Sequence, residues 1–155
     1  VIDEKDADKI FRIDFPTPPA VTWEWIQDPL KRNLWVEHVR WYVGDRPRGR
    51  AGRGASNHCA HGKSTSTEVT LDWRPFEYST VDSFENGKKT FSETFLFEPL
   101  PNGGTRVHDI MQVNMPLPKP LRRIAAHLVL VYQVKYDQLL KRAAQLAGEE
   151  YAKSS

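Results

Sequence analysis

Two carboxylates and a lysine are the residues of this chain whose types and spacing most readily suggest chemistry. Glu93 stands in the run Lys88 to Glu98, which carries Phe91, Phe95 and Phe97 on one alternating face. Asp109 stands in Thr105 to Met115, whose Val107, Met111, Val113 and Met115 form a second such face. The loop PLPNGG between the two runs makes them a hairpin. If both apolar faces are buried together, Phe97 pairs with Val107, Glu93 falls opposite Met111, and Asp109 falls opposite Phe95. The two carboxyls then become diagonal neighbours on an otherwise apolar surface. They resist being ionised together, so at least one pKa must rise. Lys135 falls inside the apolar stripe of the segment that follows. An ammonium there could face both acids, holding a polar ligand head or taking part in proton transfer. The alternatives are an ion pair with no ligand role, or a register slip that returns Glu93 to water. A buried charge without a partner is costly, so one of these readings must supply the partner.

Three further groups invite a chemical reading. His58-Cys59-Ala60-His61 offers imidazole and thiolate, which zinc and iron accept. On a strand Cys59 and His61 share a side and His58 points away, so three ligands from this run need a bulge, and the spacing matches no zinc module. A half-buried cysteine beside polar histidines is the simpler expectation, and no metal or other cofactor is expected. Arg46, Arg48, Arg50 and Arg53 stand among the glycines of GDRPRGRAGRG, either a solvated turn or a contact for phosphates. Lys119, Arg122, Arg123, Lys141 and Arg142 add a second basic set. With 22 Lys and Arg against 20 Asp and Glu, the balance argues against a general polyanion binder. No nucleic acid is expected, while transient contact with an anionic membrane stays open. Finally, four of the five tryptophans, Trp23, Trp25, Trp35 and Trp41, cluster in one short stretch, where they line a pocket or seal a core.

The elements that must position these groups follow from periodicity. Residues 1–8 are charged and aperiodic, a frayed leader or linker. Lys9 to Phe15 alternates as a strand. Prolines at 16, 18 and 19 introduce a helix through Val21, Trp23, Trp25 and Ile26, and Asp28-Pro29 breaks it before a second short helix ending near Trp35. Strands follow at about His38 to Val43, Ala55 to Gly62, Thr67 to Trp73 (with Val69, Leu71 and Trp73 on its apolar face), Tyr78 to Phe84, and the two runs described first. After Pro116, Pro118 and Pro120 the period becomes 3.6. One stripe holds Leu121, Ile124, Ala125, Leu128, Tyr132, Tyr136, Leu139, Ala143 and Leu146, a single long amphipathic helix. Leu130 and Val134 fall opposite the stripe, suggesting an outward contact with a second copy or a fused domain, or merely scattered surface apolar residues. Residues 148–155 are expected to form a flexible tail. With 39% apolar and 27% charged residues the chain reads as one globular α+β domain, and its one cysteine excludes an internal disulfide. The longest apolar run, Leu128 to Tyr132, is far short of a membrane span, so a cytoplasmic location is expected. A start at Val1 is consistent with a domain cut from a longer protein.

Strand, two short helices, six antiparallel strands and a terminal helix make a distinctive order. In "TPPAVTWEWIQDPLKRNLWVEHV", "GDRPRGRAGRG", "SETFLFEPLPNGGTRVHDIMQV" and the terminal helix, the sequence resembles the helix-grip superfamily of START lipid-transfer domains, birch-pollen allergens and polyketide cyclases (SRPBCC proteins) over about residues 9–147. The resemblance implies a curved antiparallel sheet of about seven strands gripping the long helix, with a cavity for an apolar small molecule between them. The superfamily shares no catalytic signature, so fold analogy leaves the ligand open. The expected lining is Trp23, Trp35, Val69, Leu71, Phe91, Glu93, Phe95, Asp109, Met111, Leu128, Tyr132 and Lys135, with Glu93, Asp109 and Lys135 as polar anchors. The expected function is binding of a hydrophobic or amphipathic molecule, lipid-like or polyketide-like. The alternatives are an enzyme of the cyclase or aromatase kind and a ligand-sensing module of a larger regulatory protein.

Overall fold

The computed structural model describes residues 1–154. Seven antiparallel strands form one curved sheet in the order β1-β7-β6-β5-β4-β3-β2: β1 Lys9–Phe15, β2 Arg40–Val43, β3 Ser56–His61, β4 Ser64–Arg74, β5 Tyr78–Glu85, β6 Lys88–Pro99 and β7 Thr105–Val113. Helices α1 (Pro19–Gln27) and α2 (Pro29–Trp35) follow β1, and a terminal helical layer follows β7. This is the helix-grip arrangement expected. Asp28 separates the two short helices by serving both: its N–H closes α1 on the Glu24 carbonyl, and its carboxylate accepts from Leu30 N at 2.9 Å to cap α2. Trp35 Nε1 donates to the Trp25 carbonyl at 2.9 Å and ties α2 back onto α1.

The β6–β7 register is the one a common buried face requires. Phe97 pairs with Val107, Phe95 with Asp109, and Glu93 with Met111. In β4 the inward face is the opposite of the one expected. Glu68 is buried, Val69 is half-buried and Leu71 is exposed. The register shifts between Thr70 and Asp72, so Leu71 is a bulge residue, and only beyond it does Trp73 turn inward to pack on Trp23 with ring centroids 5.5 Å apart. Apolar alternation was therefore a misleading guide on this strand. The pairing of Glu68 with Ser83 and Asn57, both buried, shows the true inner row.

The terminal helix is three pieces: α3 Lys119–His127, a π-helical turn Leu128–Gln133, and α4 Tyr136–Ser154. Lys135, at φ +56°, breaks the chain between the last two. The wider π turn and this break rotate the two halves relative to each other. The expected stripe is correct for α4, where Leu140, Ala143, Ala144 and Ala147 are buried and Leu139 and Leu146 pack against the core. It is inverted for the first half: Leu121, Ile124, Leu128 and Tyr132 are exposed, while Leu130, expected outside, packs against the core. Small residues let α4 lie close to the first strand, and a Cβ at Gly148 would come within 2.7 Å of the Pro16 ring. α4 runs on through 148–154, where the sequence pattern leads to a tail, and at the other end Ala7 and Asp8 of the leader are buried.

Leu140→Ala should therefore lower unfolding stability by about 2–5 kcal/mol, as core truncations do. Leu128→Ala should stay within about 0.5 kcal/mol of wild type. Urea unfolding of both variants checks this, and a large loss at Leu128 would return the first half of the stripe to the core.

Candidate functional site

A cavity of about 390 Å³ lies between the concave face of the sheet and the helices, within the size range of small-molecule sites. Its walls are mainly apolar: Trp35 and Val36 of α2 and the following turn, Trp41 of β2, Phe91 and Phe95 of β6, and Met111 of β7. Val129, Leu130 and Val134 close it from the terminal layer. Arg32, Glu68, Glu93 and Tyr136 bring polar atoms into this apolar lining.

Arg32 is brought there by α2, whose buried positions are Pro29, Arg32 and Trp35. Its Nη1 meets Glu68 Oε1 at 2.7 Å, its Nε donates to the Ile26 carbonyl at 2.6 Å, and its guanidinium lies 4.5 Å over the Trp41 ring. Burial opposes its charge, but the Glu68 carboxylate outweighs that and raises the Arg32 pKa above its ordinary value. Glu68 also accepts from Asn57 Nδ2 at 2.8 Å, and Asn57 Oδ1 in turn accepts from Arg46 Nη2 at 2.6 Å. One arginine of the glycine-rich loop thus braces the site from outside.

Glu93 and Asp109 are the diagonal neighbours that the hairpin register demands, and both are buried. Tyr136 donates its hydroxyl to Glu93 Oε2 at 3.5 Å. Among the described residues, neither oxygen of Asp109 has a hydrogen-bond partner of good geometry. Burial first, and then the charge of Glu93, pushes the Asp109 pKa well above the carboxylate range. Burial likewise raises Glu93. For Tyr136, burial and the two acids, Asp109 foremost, raise the phenol. The pair therefore retains at least one proton under conditions where exposed carboxyls have lost theirs.

Of the residues expected to line a site, the structure brings Trp35, Phe91, Glu93, Phe95 and Met111 around the cavity. Asp109 sits next to Glu93 but off the cavity surface. Trp23 packs instead on Trp73 and Phe97 at a distance from it. Val69 and Leu71 stand on the wrong side of the bulged β4, Leu128 and Tyr132 face outward, and Lys135 is exposed at the helix break. The cation expected from Lys135 is supplied by Arg32, from the opposite wall. Arg32 carried a usable signal, since it lies three residues before Trp35 on the buried side of α2. Glu68 carried none, because the bulge hides its orientation. Cys59 faces the cavity with His61 Nε2 3.0 Å from its sulfur, and burial, aided by Glu68, pushes the thiol up to about 12, so it is a neutral wall residue rather than a nucleophile. His58 points to the other side, its ring against Tyr42.

The family described as "Polyketide cyclase / dehydrase and lipid transport" matches residues 11–147. No curated protein matches the chain by sequence. Among solved structures, a protein from Nitrosomonas europaea superposes with a TM-score of 0.68 at 14% identity, covering 97% of this chain and 99% of its own. A protein from Thermus thermophilus gives 0.66 at 20% identity, covering 94% and 98%. DynU16, from the dynemicin biosynthetic locus, gives 0.60 at 14% identity, covering 88% of this chain and 45% of its own. At these identities the likeness is one of fold.

The raised carboxyl pKa values have a definite consequence for stability. Between the ordinary carboxyl range and the raised values, the folded protein holds protons that the unfolded chain has lost. This contribution to stability is complete below a pH of about 4 and is lost as the pH rises through the raised values, at up to about 1.4 kcal/mol per pH unit for each proton. Asp109→Asn keeps a neutral group in place and should lose less stability between about pH 5 and pH 8 than wild type does. Urea unfolding at the two pH values measures this, and equal losses would mean that Asp109 is ionised at neutral pH.

Proposed function

The chain belongs to the polyketide cyclase/dehydrase and lipid-transport family, and from that premise we propose that its cavity binds one hydrophobic or amphipathic small molecule with a neutral, oxygen-bearing polar part. The observation that carries this is the pairing of an apolar cavity of about 390 Å³ with an Arg32–Glu68 ion pair matched in charge and a Glu93–Asp109 pair that retains a proton. Arg32 is matched by Glu68, so it has no unopposed charge to offer a carboxylate or phosphate ligand. The proton held by Glu93 and Asp109 suits donation to carbonyl or hydroxyl oxygens, and the Tyr136 oxygen, its hydrogen given to Glu93, can accept from a hydroxyl. Aromatic walls accept an extended or ring-bearing apolar body.

The same pair favours a second reading. In its ionised form Glu93 can take a proton from the carbon between two carbonyls and, as that carbon bonds to a further carbonyl carbon, return the proton to the oxygen of that carbonyl, which completes ring closure of a poly-carbonyl chain. Glu93, which faces the cavity, would carry out the transfer, and Asp109 would act through Glu93. The two readings differ at one position. Glu93→Gln leaves an apolar binding cavity in place under both, and abolishes turnover of a poly-carbonyl substrate under the second.

Native against denaturing mass spectrometry of the freshly purified protein looks for a carried molecule. Titration with N-phenyl-1-naphthylamine, a neutral apolar fluorophore, tests whether the cavity admits one. One probe per chain should bind with enhanced emission, and Leu130→Trp, which fills the cavity from the π turn, should remove the enhancement while leaving the fold intact. Emission that Leu130→Trp does not change, or no emission change at all, would contradict a ligand cavity.

A further inference from the structure

The first half of the terminal layer has its polarity turned outside in. Leu117, Leu121, Ile124, Leu128 and Tyr132 recur every three or four residues, form one face, and are between 39% and 66% exposed. The opposite face is held against the leader. Arg122 Nε lies 3.3 Å from Asp8, Arg123 Nε donates to the Ala7 carbonyl at 3.2 Å, and Lys119 Nζ donates to the Lys5 carbonyl at 2.6 Å. Surface helices normally present charge to water and bury their apolar side. Here the cationic side chains clamp the helix in the inverse orientation, leaving a continuous apolar patch in solvent.

The segment that carries this patch is itself free of acids, and its cations Lys119, Arg122 and Arg123 face the acidic leader. No acidic residue stands between Asp109 and Asp137, while Lys119, Arg122, Arg123 and Lys135, with His127, fall in that interval. The antiparallel strand order places the β3–β4 turn, the β5–β6 turn and the β7–α3 link at one end of the sheet. The two turns carry the exposed Lys63, Lys88 and Lys89. The acids in the neighbourhood are largely engaged: Asp8 by Arg122, Glu4 by Arg12, Asp3 by Lys5, and Glu85 faces Lys88 across the β5–β6 ladder. A second copy of the chain docked symmetrically at this end would bring the exposed Lys63, Lys88 and Lys89 of both chains towards each other, which like-charge repulsion opposes. An anionic lipid surface complements the cations and accepts the apolar face.

We propose that this end of the protein docks on anionic phospholipid membranes, with Leu121, Ile124, Leu128 and Tyr132 entering the interface and the surrounding lysines meeting the headgroups. Docking does not depend on the cavity binding a ligand. If it does, the contact has a further consequence, because Val129, Leu130 and Val134 of the same segment wall the cavity at the π turn and the Lys135 break. The bilayer would then lie directly against one wall of the cavity.

Co-sedimentation of the whole protein with phosphatidylcholine vesicles, and with vesicles in which about a third of the lipid is phosphatidylglycerol, tests the proposal. Wild type should sediment with the anionic vesicles and not with phosphatidylcholine alone. Ile124→Asp/Leu128→Asp should weaken that association by roughly tenfold or more. Lys88→Ser/Lys89→Ser should weaken it most at low salt. Both altered faces are exposed, so the variants should keep the wild-type urea midpoint and naphthylamine response, which separates failure of docking from failure of the cavity. Wild type that ignores anionic vesicles, or an aspartate variant that sediments like wild type, overturns the proposal. A wild-type dimer in sedimentation velocity that the aspartate variant splits, with no vesicle binding, assigns the face to a second copy and equally overturns it.

Discussion

Three carboxyl groups, Glu68, Glu93 and Asp109, share the concave side of the sheet with one buried guanidinium, and the rest of the structure is arranged around that imbalance. Arg32 can neutralise one of them. It does so for Glu68, at 2.7 Å, with every further contact it makes aiding the same pose: the Ile26 carbonyl on its Nε and the Trp41 ring beneath it. Taking two charges out of water costs several kcal/mol each, so this pair contributes less to stability than to placement. It fixes where α2 sits over β4, and α2 in turn supplies Trp35 and Val36 to the cavity wall. Glu93 and Asp109, left without a cation of their own, must hold a proton. The same shortage of positive charge thus keeps a proton, and with it a hydrogen-bond donor, on the polar side of the cavity.

That property connects the fold to its use. A helix-grip sheet curves enough that its helices cannot fill the concave space with backbone, and side chains decide whether the remainder is core or cavity. At the α1 end, Trp23, Trp73 and Phe97 fill it, with Trp23 5.5 Å from Trp73 and 5.0 Å from Phe97 between centroids. At the other end the π turn and the helix break hold the terminal layer off the sheet, and the space stays open.

Much of the site was legible because the β6–β7 hairpin is governed by a rule with no freedom: a period of two and a shared buried face leave one register, and the register places Glu93 beside Asp109. The errors came where local irregularities intervened. On β4 a single extra residue at Leu71 reverses which side chains point inward, and nothing in the types Val69 and Leu71 betrays it. In the terminal helix a uniform 100° step per residue carries the correct phase of α4 backwards across a π turn and a left-handed residue, neither of which has a strong composition signal. Lys135 looked like an inward cation for that reason alone. Arg32 was open to recognition, since it shares the buried side of its helix with Trp35, but a buried arginine is expected only once its acid is known, and that acid was hidden by the bulge.

The central claim is that Glu93 and Asp109 keep a proton above the ordinary carboxyl range because Arg32 is spent on Glu68. Carbon-13 NMR of the side-chain carboxyls, assigned with Glu93→Gln and Asp109→Asn and followed from acid to mildly alkaline pH, measures it directly. The account predicts that at least one of the two titrates well above the ordinary carboxyl range and that the two titrations influence each other. Two independent titrations near the ordinary carboxyl value of about 4 would contradict it.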